Sequence, residues 1–161
     1  MITDRDISDV ERALILIQKM QADGTLTDGE RTEFFAGLWG CYNVSDLNRV
    51  ESKVEELSAA LTASGYPNAV NTHVWAAGDI LTDAEVMRYL GNISALRAAY
   101  YAKTDTPDTP DMSRWIDYVA ANDIERILVD IAELIAAKNA SSAISGTFYS
   151  GARRALPIGR D

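Results

Sequence analysis

Four arginines share one local setting: an acid three residues before, an apolar residue directly after, and two more apolar residues four and seven places beyond that one. The stretches are Asp9-Val10-Glu11-Arg12-Ala13, Asp46-Leu47-Asn48-Arg49-Val50, Glu85-Val86-Met87-Arg88-Tyr89 and Asp123-Ile124-Glu125-Arg126-Ile127. On a helix, an acid and an arginine three apart can pair across one turn, for about 0.2–0.5 kcal/mol. The acid also lies near the helix N-terminus, where the macrodipole favours negative charge. That accounts for the acid but not for the use of arginine, never lysine, at Arg12, Arg49, Arg88 and Arg126. Each arginine precedes a core position, so its stem can follow the helix boundary while its head reaches another backbone or acid. The alternative is a patch of four guanidiniums gathered at one end for binding.

Other reactive residue types do not converge. Cys41, the one cysteine, lies between Gly40 and Tyr42 and reads as a small apolar filler, leaving no internal disulfide and no cysteine-based zinc site. A nucleophilic role for it would need a base, and nothing in the sequence places the single histidine, His73, beside it. His73 reads as a loop hydrogen-bonding residue. Asp105, Asp108 and Asp111 alternate with threonine and proline but lack the glycine and terminal glutamate of a calcium loop, so they read as a solvated linker. Glu55 and Glu56 lie mid-helix, with Glu55 expected in solvent. There is no phosphate-cradling glycine loop, no paired histidines and no Gly-x-Ser-x-Gly elbow. The expectation is a protein that is not an enzyme and has no cofactor, no metal site and no catalytic residues.

The elements that would position the arginines follow from the apolar residues: Ala13, Ile17 and Met20; Val50, Val54 and Leu57; Tyr89, Ile93 and Leu96; Ile127, Ile131 and Leu134. Steps of four and three make one stripe down a helix. Four stripes predict four main amphipathic helices around a common core, hence an all-α bundle with one or two short helices besides. Helix one spans about 8–21. Thr27 to Glu30 forms a capping box for a short helix ending near Gly40. Asn43 or Ser45 caps the next helix, which stops at Ser64-Gly65. Residues 65–81 are irregular, pinned by Trp75 and Ile80. Thr82 to Glu85 opens a helix to about Ala102, and two Thr-Pro steps mark a linker. Asn122 caps a last helix to about Lys138. Copies two and four lie 77 residues apart, and copies one and three 76 apart. That is compatible with two similar helical hairpins from a duplicated ancestor, or with a chance likeness between amphipathic helices. The division is a bundle domain over 1–140 and an extended C-terminal arm over 141–161.

At 161 residues and 47% hydrophobic, one domain with a substantial core is expected. The net charge of -9 opposes nonspecific binding to nucleic acid or anionic lipid, and neither is expected as a partner. Residues 139–161 carry Arg153, Arg154 and Arg160 against Asp161, a balance of +2, which leaves -11 on residues 1–138. A basic tail on an acidic body suggests that the tail meets something acidic, a neighbouring copy among the candidates. No apolar run reaches the roughly 18 residues of a membrane span, and the N-terminus has no signal-peptide pattern. Synthesis in a cytoplasm is expected. Trp39, Tyr42, Tyr89, Trp115 and Tyr118 are expected in the core, while Tyr100, Tyr101, Phe148 and Tyr149 are candidates for partner contact.

The segment Trp39-Gly40-Cys41-Tyr42-Asn43-Val44-Ser45-Asp46-Leu47-Asn48-Arg49-Val50 resembles one common in small proteins and C-terminal modules from phages and prophages of Gram-positive bacteria. There the pattern runs approximately Gly-Ala-Tyr-Asn-x-x-Asp-Leu-Asn-Arg-Val. Further matches keep their order: Asp4-Arg5 with Asp9-Val10 and Arg12, Leu26-Thr27 with Glu30, Asp79-Ile80-Leu81-Thr82, Asn122 to Leu128, and Phe148-Tyr149-Ser150-Gly151. This chain departs from the pattern at Leu81, where proline is usual, and in Ala152-Arg153-Arg154, which replaces a more acidic ending. The resemblance implies a helical virion component of the tail, baseplate or fibre apparatus, made in the host cytoplasm. Its partners would be other copies of itself or larger phage structural proteins. The arm would be anchored by Phe148 and Tyr149 and steered by Arg153 and Arg154. The alternative is an intracellular helical adaptor or regulator that binds a protein partner.

Overall fold

The computed structural model describes residues 1–22, 24–111 and 116–148, with side chains through residue 141. The described chain is all-helical: α1 (Ile7–Ala22), α2 (Asp28–Ala36), α3 (Val44–Ala63), α4 (Asp83–Ala99) and α5 (Tyr118–Phe148).

Local chemistry sets the helix ends. The Asp6 carboxylate accepts from the amides of Ser8 and Asp9 at the start of α1, and Asp9 Oδ2 accepts from the Asp6 amide in return. Thr27 and Glu30 form the expected capping box on α2. In α3 the Asn43 amide donates to Asp46 Oδ2, and in α4 Thr82 Oγ1 accepts from the Glu85 amide. The acid of the repeated pattern is therefore the third helical residue in three copies, where it faces unpaired backbone N–H groups. The fourth copy departs. Helix α5 starts earlier, with Asp117 Oδ1 accepting from the Ala120 amide, so Asn122 lies inside the helix rather than capping it. Helix α3 ends with Gly65 at φ 88°: the Tyr66 amide returns to Leu61 O and the Gly65 amide to Thr62 O. This pairing stops a helix and needs a residue that tolerates positive φ.

Helices α3, α4 and α5 pack on one another pairwise and run in the same direction. Arg88 near the start of α4 pairs with Glu51 near the start of α3, and beyond their ends Tyr100 and Tyr66 stack edge to face at 4.6 Å. Glu125 in the first part of α5 pairs with Arg49, while Lys138 Nζ donates to Ser64 O at the far end of α3. Parallel neighbours need long connections, and both serve as extended returns. Residues 68–75 run back along α3, where Asn68 donates to Ser58 O, Thr72 to Glu55, and Trp75 is held by Asn48. Residues 103–108 run back along α5 and α4, with Lys103 on Asp130 and Arg97 on Asp108. The two-hairpin arrangement is thus replaced by parallel helices with extended returns. The arginines at 12, 49, 88 and 126 recur at a nearly constant interval, as expected when successive helices start at the same end.

The core is built by the second, third and fourth stripes, except that Leu134, the last residue of the fourth, is only partly buried and Ile135 takes the core place instead. Val50, Val54, Leu57, Tyr89, Ile93, Leu96, Ile127 and Ile131 are each at most 2% exposed. The first stripe does not join them. Ala13 and Leu16 pack with Leu26 and Leu38 in a separate small cluster, Ile17 lies at its edge, and Met20 is 40% exposed. The expectation of four helices in one core holds for three. Trp75 pins the return as expected, whereas Ile80 is 77% exposed. Helix α5 also runs through Phe148, so residues 141–148, assigned to the extended arm, are helical. No proline interrupts this stretch and alanines support the helix, which passes Lys138 by ten residues, about 15 Å.

Candidate functional site

The N-terminal strap, residues 1–6, is seated between α3 and α5, and Arg5 makes buried polar contacts with both. Arg5 is 4% exposed. Its guanidinium donates to Asp46 Oδ1 at 3.1 Å, Glu125 Oε1 at 2.9 Å and Ile2 O at 3.0 Å. Arg49 reaches the same two carboxylates, each at 2.6 Å. The Ile2 amide donates to the second Glu125 oxygen. Two arginines and two carboxylates thus form a closed set, which is what buried charges require. Burial opposes the Asp46 charge, but the Asn43 amide and Arg49 outweigh it and hold the carboxyl below its usual range. Burial likewise opposes the Arg49 charge, and Glu125 and Asp46 more than compensate, so its pKa rises. Above the cluster, Tyr42 and Tyr89 share a hydroxyl hydrogen bond of 2.5 Å, and burial pushes both phenols up.

Three helix asparagines fix extended backbone by one device. Asn122 accepts from the Arg5 amide and donates to the Arg5 carbonyl, at 3.2 and 2.8 Å. Asn48 treats Trp75 the same way, at 2.8 and 2.9 Å, and Asn92 does so for Asn71, at 2.9 and 2.8 Å. A primary amide presents one donor and one acceptor side by side, matching the N–H and C=O of one extended residue. These residues were absent from the sequence-based candidates. For Asn48 and Asn92 a signal was there, since asparagine is a poor helix former and each lies beside core positions inside a helix, whereas Asn122 read as an N-cap, a place that asparagine favours.

The four pattern arginines are dispersed to different partners rather than gathered. Arg12 forks onto Glu33 of α2, with Glu30 at 3.7 Å. Arg49 binds Asp46 and Glu125. Arg88 holds Glu85 at 2.7 Å, Glu51 at 2.6 Å and Asn71 O at 2.5 Å. Arg126 turns to Asp130, at 3.2 Å, and to Asp105, at 3.6 Å. The acid three residues before pairs in two copies, Asp46–Arg49 and Glu85–Arg88. Each arginine joins its helix to a neighbouring helix or return, as the boundary reading expects.

Among the partner-contact candidates, Tyr101 is 68% exposed, while Tyr100 is partly buried against Tyr66 and the core. Phe148 ends α5. Tyr149, Arg153 and Arg154 lie outside the described residues, as does Trp115. Tyr42 and Tyr89 pack inward as expected, but Trp39 is 57% exposed, and Phe35 is 69% exposed. The cause at Trp39 is its place in the connection 37–43. Gly37 turns with φ 101°, and a Cβ on Gly40 would lie 2.2 Å from Asp9 O, so the turn presses its backbone on α1 and turns the indole outward. Trp39 stands between a cleft of about 140 Å³ beside Arg5, Asn43, Asp46 and Arg49 and another of about 130 Å³ beside Asp9, Arg12 and Glu33.

Cys41 packs beside the small cluster, and burial raises its thiol pKa, which makes it a poorer nucleophile. His73 lies edge-on to Trp75 with Nε2 3.7 Å from Asp79. Asp108 pairs with Arg97, and Asp105 with Arg126. No group of three metal-ligating side chains occurs among the described residues, and none of the described helices is long and apolar enough to cross a membrane. The arrangement holds segments of chain in place, and its charged groups are engaged with one another. Comparison with protein families, with curated proteins and with solved structures finds no match for this chain.

Proposed function

We propose that this chain is a structural protein of a phage virion, associated with the tail, baseplate or fibre apparatus, and that it acts through protein–protein contacts. One observation carries the reading. The segments that resemble phage proteins, around Arg5, around Trp39 to Val50 and around Asn122 to Leu128, meet in space in the strap cluster. The resemblance therefore falls on residues that hold a rigid body together, which suits a building block. The three-helix body supplies rigidity, and the exposed Phe35 and Trp39 supply surface for contact.

Quantitative peptide mass spectrometry on gradient-purified particles tests this. A fixed ratio of this chain to the major capsid protein is the expected result, and the ratio would bound its symmetry and place. A chain that stays in the lysate and never follows the particles overturns the virion role and favours an intracellular adaptor.

A further inference from the structure

We infer that two copies of this chain pair through the outer face of α1, with the two α1 helices antiparallel about a two-fold axis. The pairing names one partner for the assembly role proposed above and rests on that reading for its setting. On its inner side, α1 packs Ala13 and Leu16 with Leu26, Leu38 and Phe34. A helix with one packed face ordinarily turns polar and charged residues to the other. Here the other side carries Ile7, Leu14 and Ile15, which are 56%, 51% and 47% exposed. Glu11, Gln18 and Ala22, all exposed, lie between them. At 3.6 residues per turn these six positions share an arc of about 100°, nearly opposite Leu16. Arg12 and Lys19 stand to one side of that arc, held by Glu33 and Glu30 of α2. None of the six belongs to either apolar cluster. The exposed apolar residues of the body, Val74, Ile80, Met87, Tyr101 and Val119, are spread over separate elements, which is ordinary for a surface.

The order of residues on this face selects a second copy as its occupant. In an antiparallel pair centred between Leu14 and Ile15, Leu14 stands across from Ile15, Glu11 from Gln18, and Ile7 from Ala22. The six positions therefore map onto themselves, which is what an isologous contact requires. A large side chain meets a small one at each end, and two aliphatic pairs meet at the axis. The one charge, Glu11, faces an amide that can donate to it. The two Glu11 carboxylates are seven residues apart along the helices, roughly 10 Å. A parallel pair would set Glu11 against Glu11. The net charge of -9 opposes contact between copies over most of the surface, and a face with one carboxylate in six residues hardly does.

Light scattering on the full chain across a concentration series should give a dimer that dissociates on dilution, since one helix face is a small interface. Leu14→Glu should weaken it about tenfold or more, by setting unpaired carboxylates at the axis, with unchanged helical circular dichroism. Met87→Glu, on α4, should leave the dimer as it is. Gln18→Lys sets a cation across from each Glu11 and should tighten the dimer about threefold to tenfold. In a parallel pair the same change would set two cations together and weaken it. A chain that is monomeric at every concentration overturns the pairing. If such a monomer is lost from purified particles on Leu14→Glu, another virion protein covers the face instead. A dimer indifferent to Leu14→Glu overturns the α1 face, and one weakened by Gln18→Lys overturns the antiparallel register. The two proposals fail separately. A monomeric chain that still follows particles loses only the pairing, and a dimer absent from particles loses the virion role.

Discussion

Arg12 and Arg49 occupy the same place in the same sequence pattern, one in the α1–α2 module and one in the three-helix body. Arg12 finds Glu33, whose side chain is 42% exposed, while Arg49 finds Glu125, whose side chain is fully buried. The apolar residues differ in step. Behind Arg49, Val50, Val54 and Leu57 are inside the shared core, whereas behind Arg12 the stripe reaches Met20 in solvent. The pattern thus specifies a helix with an arginine on its boundary. What that arginine contributes is set by how deeply its partner is buried, which the pattern does not encode.

The largest effect should come from the buried side of this comparison. Glu125→Ala leaves Arg5, whose side chain is 2% exposed, and Arg49 with Asp46 as their one remaining shared carboxylate, and losing one partner of a buried pair costs about 3–5 kcal/mol. Urea unfolding should show that loss, and amide exchange should show the strap released along with it. If Glu125→Ala costs no more than a surface substitution, the cluster is not what seats the strap. Next in size is Gly40→Ala. Its Cβ would meet the Asp9 carbonyl carbon at 2.4 Å and Val10 Cα at 2.5 Å, both backbone atoms that cannot rotate away. Overpacking of this kind costs roughly 1–3 kcal/mol. The change should loosen α1 from the 37–43 turn while leaving the α3–α5 amides protected, which hydrogen exchange resolves residue by residue.

What was legible in the sequence follows the same division. The stripes of α3, α4 and most of α5, the capping box of α2 and the Thr82 cap of α4 were readable because local spacing and local hydrogen bonds decide them; Glu85 does not complete a box on α4, since its carboxylate pairs with Arg88. The α1 stripe misled because Leu16, off the repeated positions, is the fully buried residue, and a helix packed on one short partner buries a narrower face. Helix direction was in principle visible. A near-constant interval between the arginines, with 19 residues between α3 and α4 and 18 between α4 and α5, leaves enough chain to return to the starting end. The socket was hidden because Arg5, Asp46 and Glu125 are far apart in sequence, and Glu125 fills the pattern's unconstrained third place. Trp39 was assigned to the core as an aromatic at a helix end, where core packing is the default, whereas it lies beside Gly40, whose backbone is pressed on α1, and is 57% exposed.

Acid should act on the module through Glu30, whose side chain is only 12% exposed. The Lys19 ammonium, then the Thr27 amide, hold the Glu30 carboxyl down to about 2. A carboxyl that titrates lower in the folded chain contributes its full stabilisation above its ordinary value of 4.5, and loses it as the pH falls toward about 2. Glu33, held below its usual range by Arg12, should follow the same course. The measurement is amide exchange in α1 and α2 over that range, with Glu30→Gln as control. Protection should decline with acid in the native chain and decline less in the variant. Equal decline in both would assign the acid response to other carboxylates.

The smallest expected effect makes the sharpest use of the comparison. Arg12→Ala removes a forked pair to Glu33 between side chains that are both more than 40% exposed, and exposed pairs contribute about 0–1 kcal/mol. The same substitution at Arg49 removes one of the two guanidiniums on Glu125 and should cost several times as much. Measured side by side in urea, the two arginine variants separate sequence pattern from burial. A large loss at Arg12 would mean that the pattern itself, and not the burial of the partner, sets what the arginine contributes.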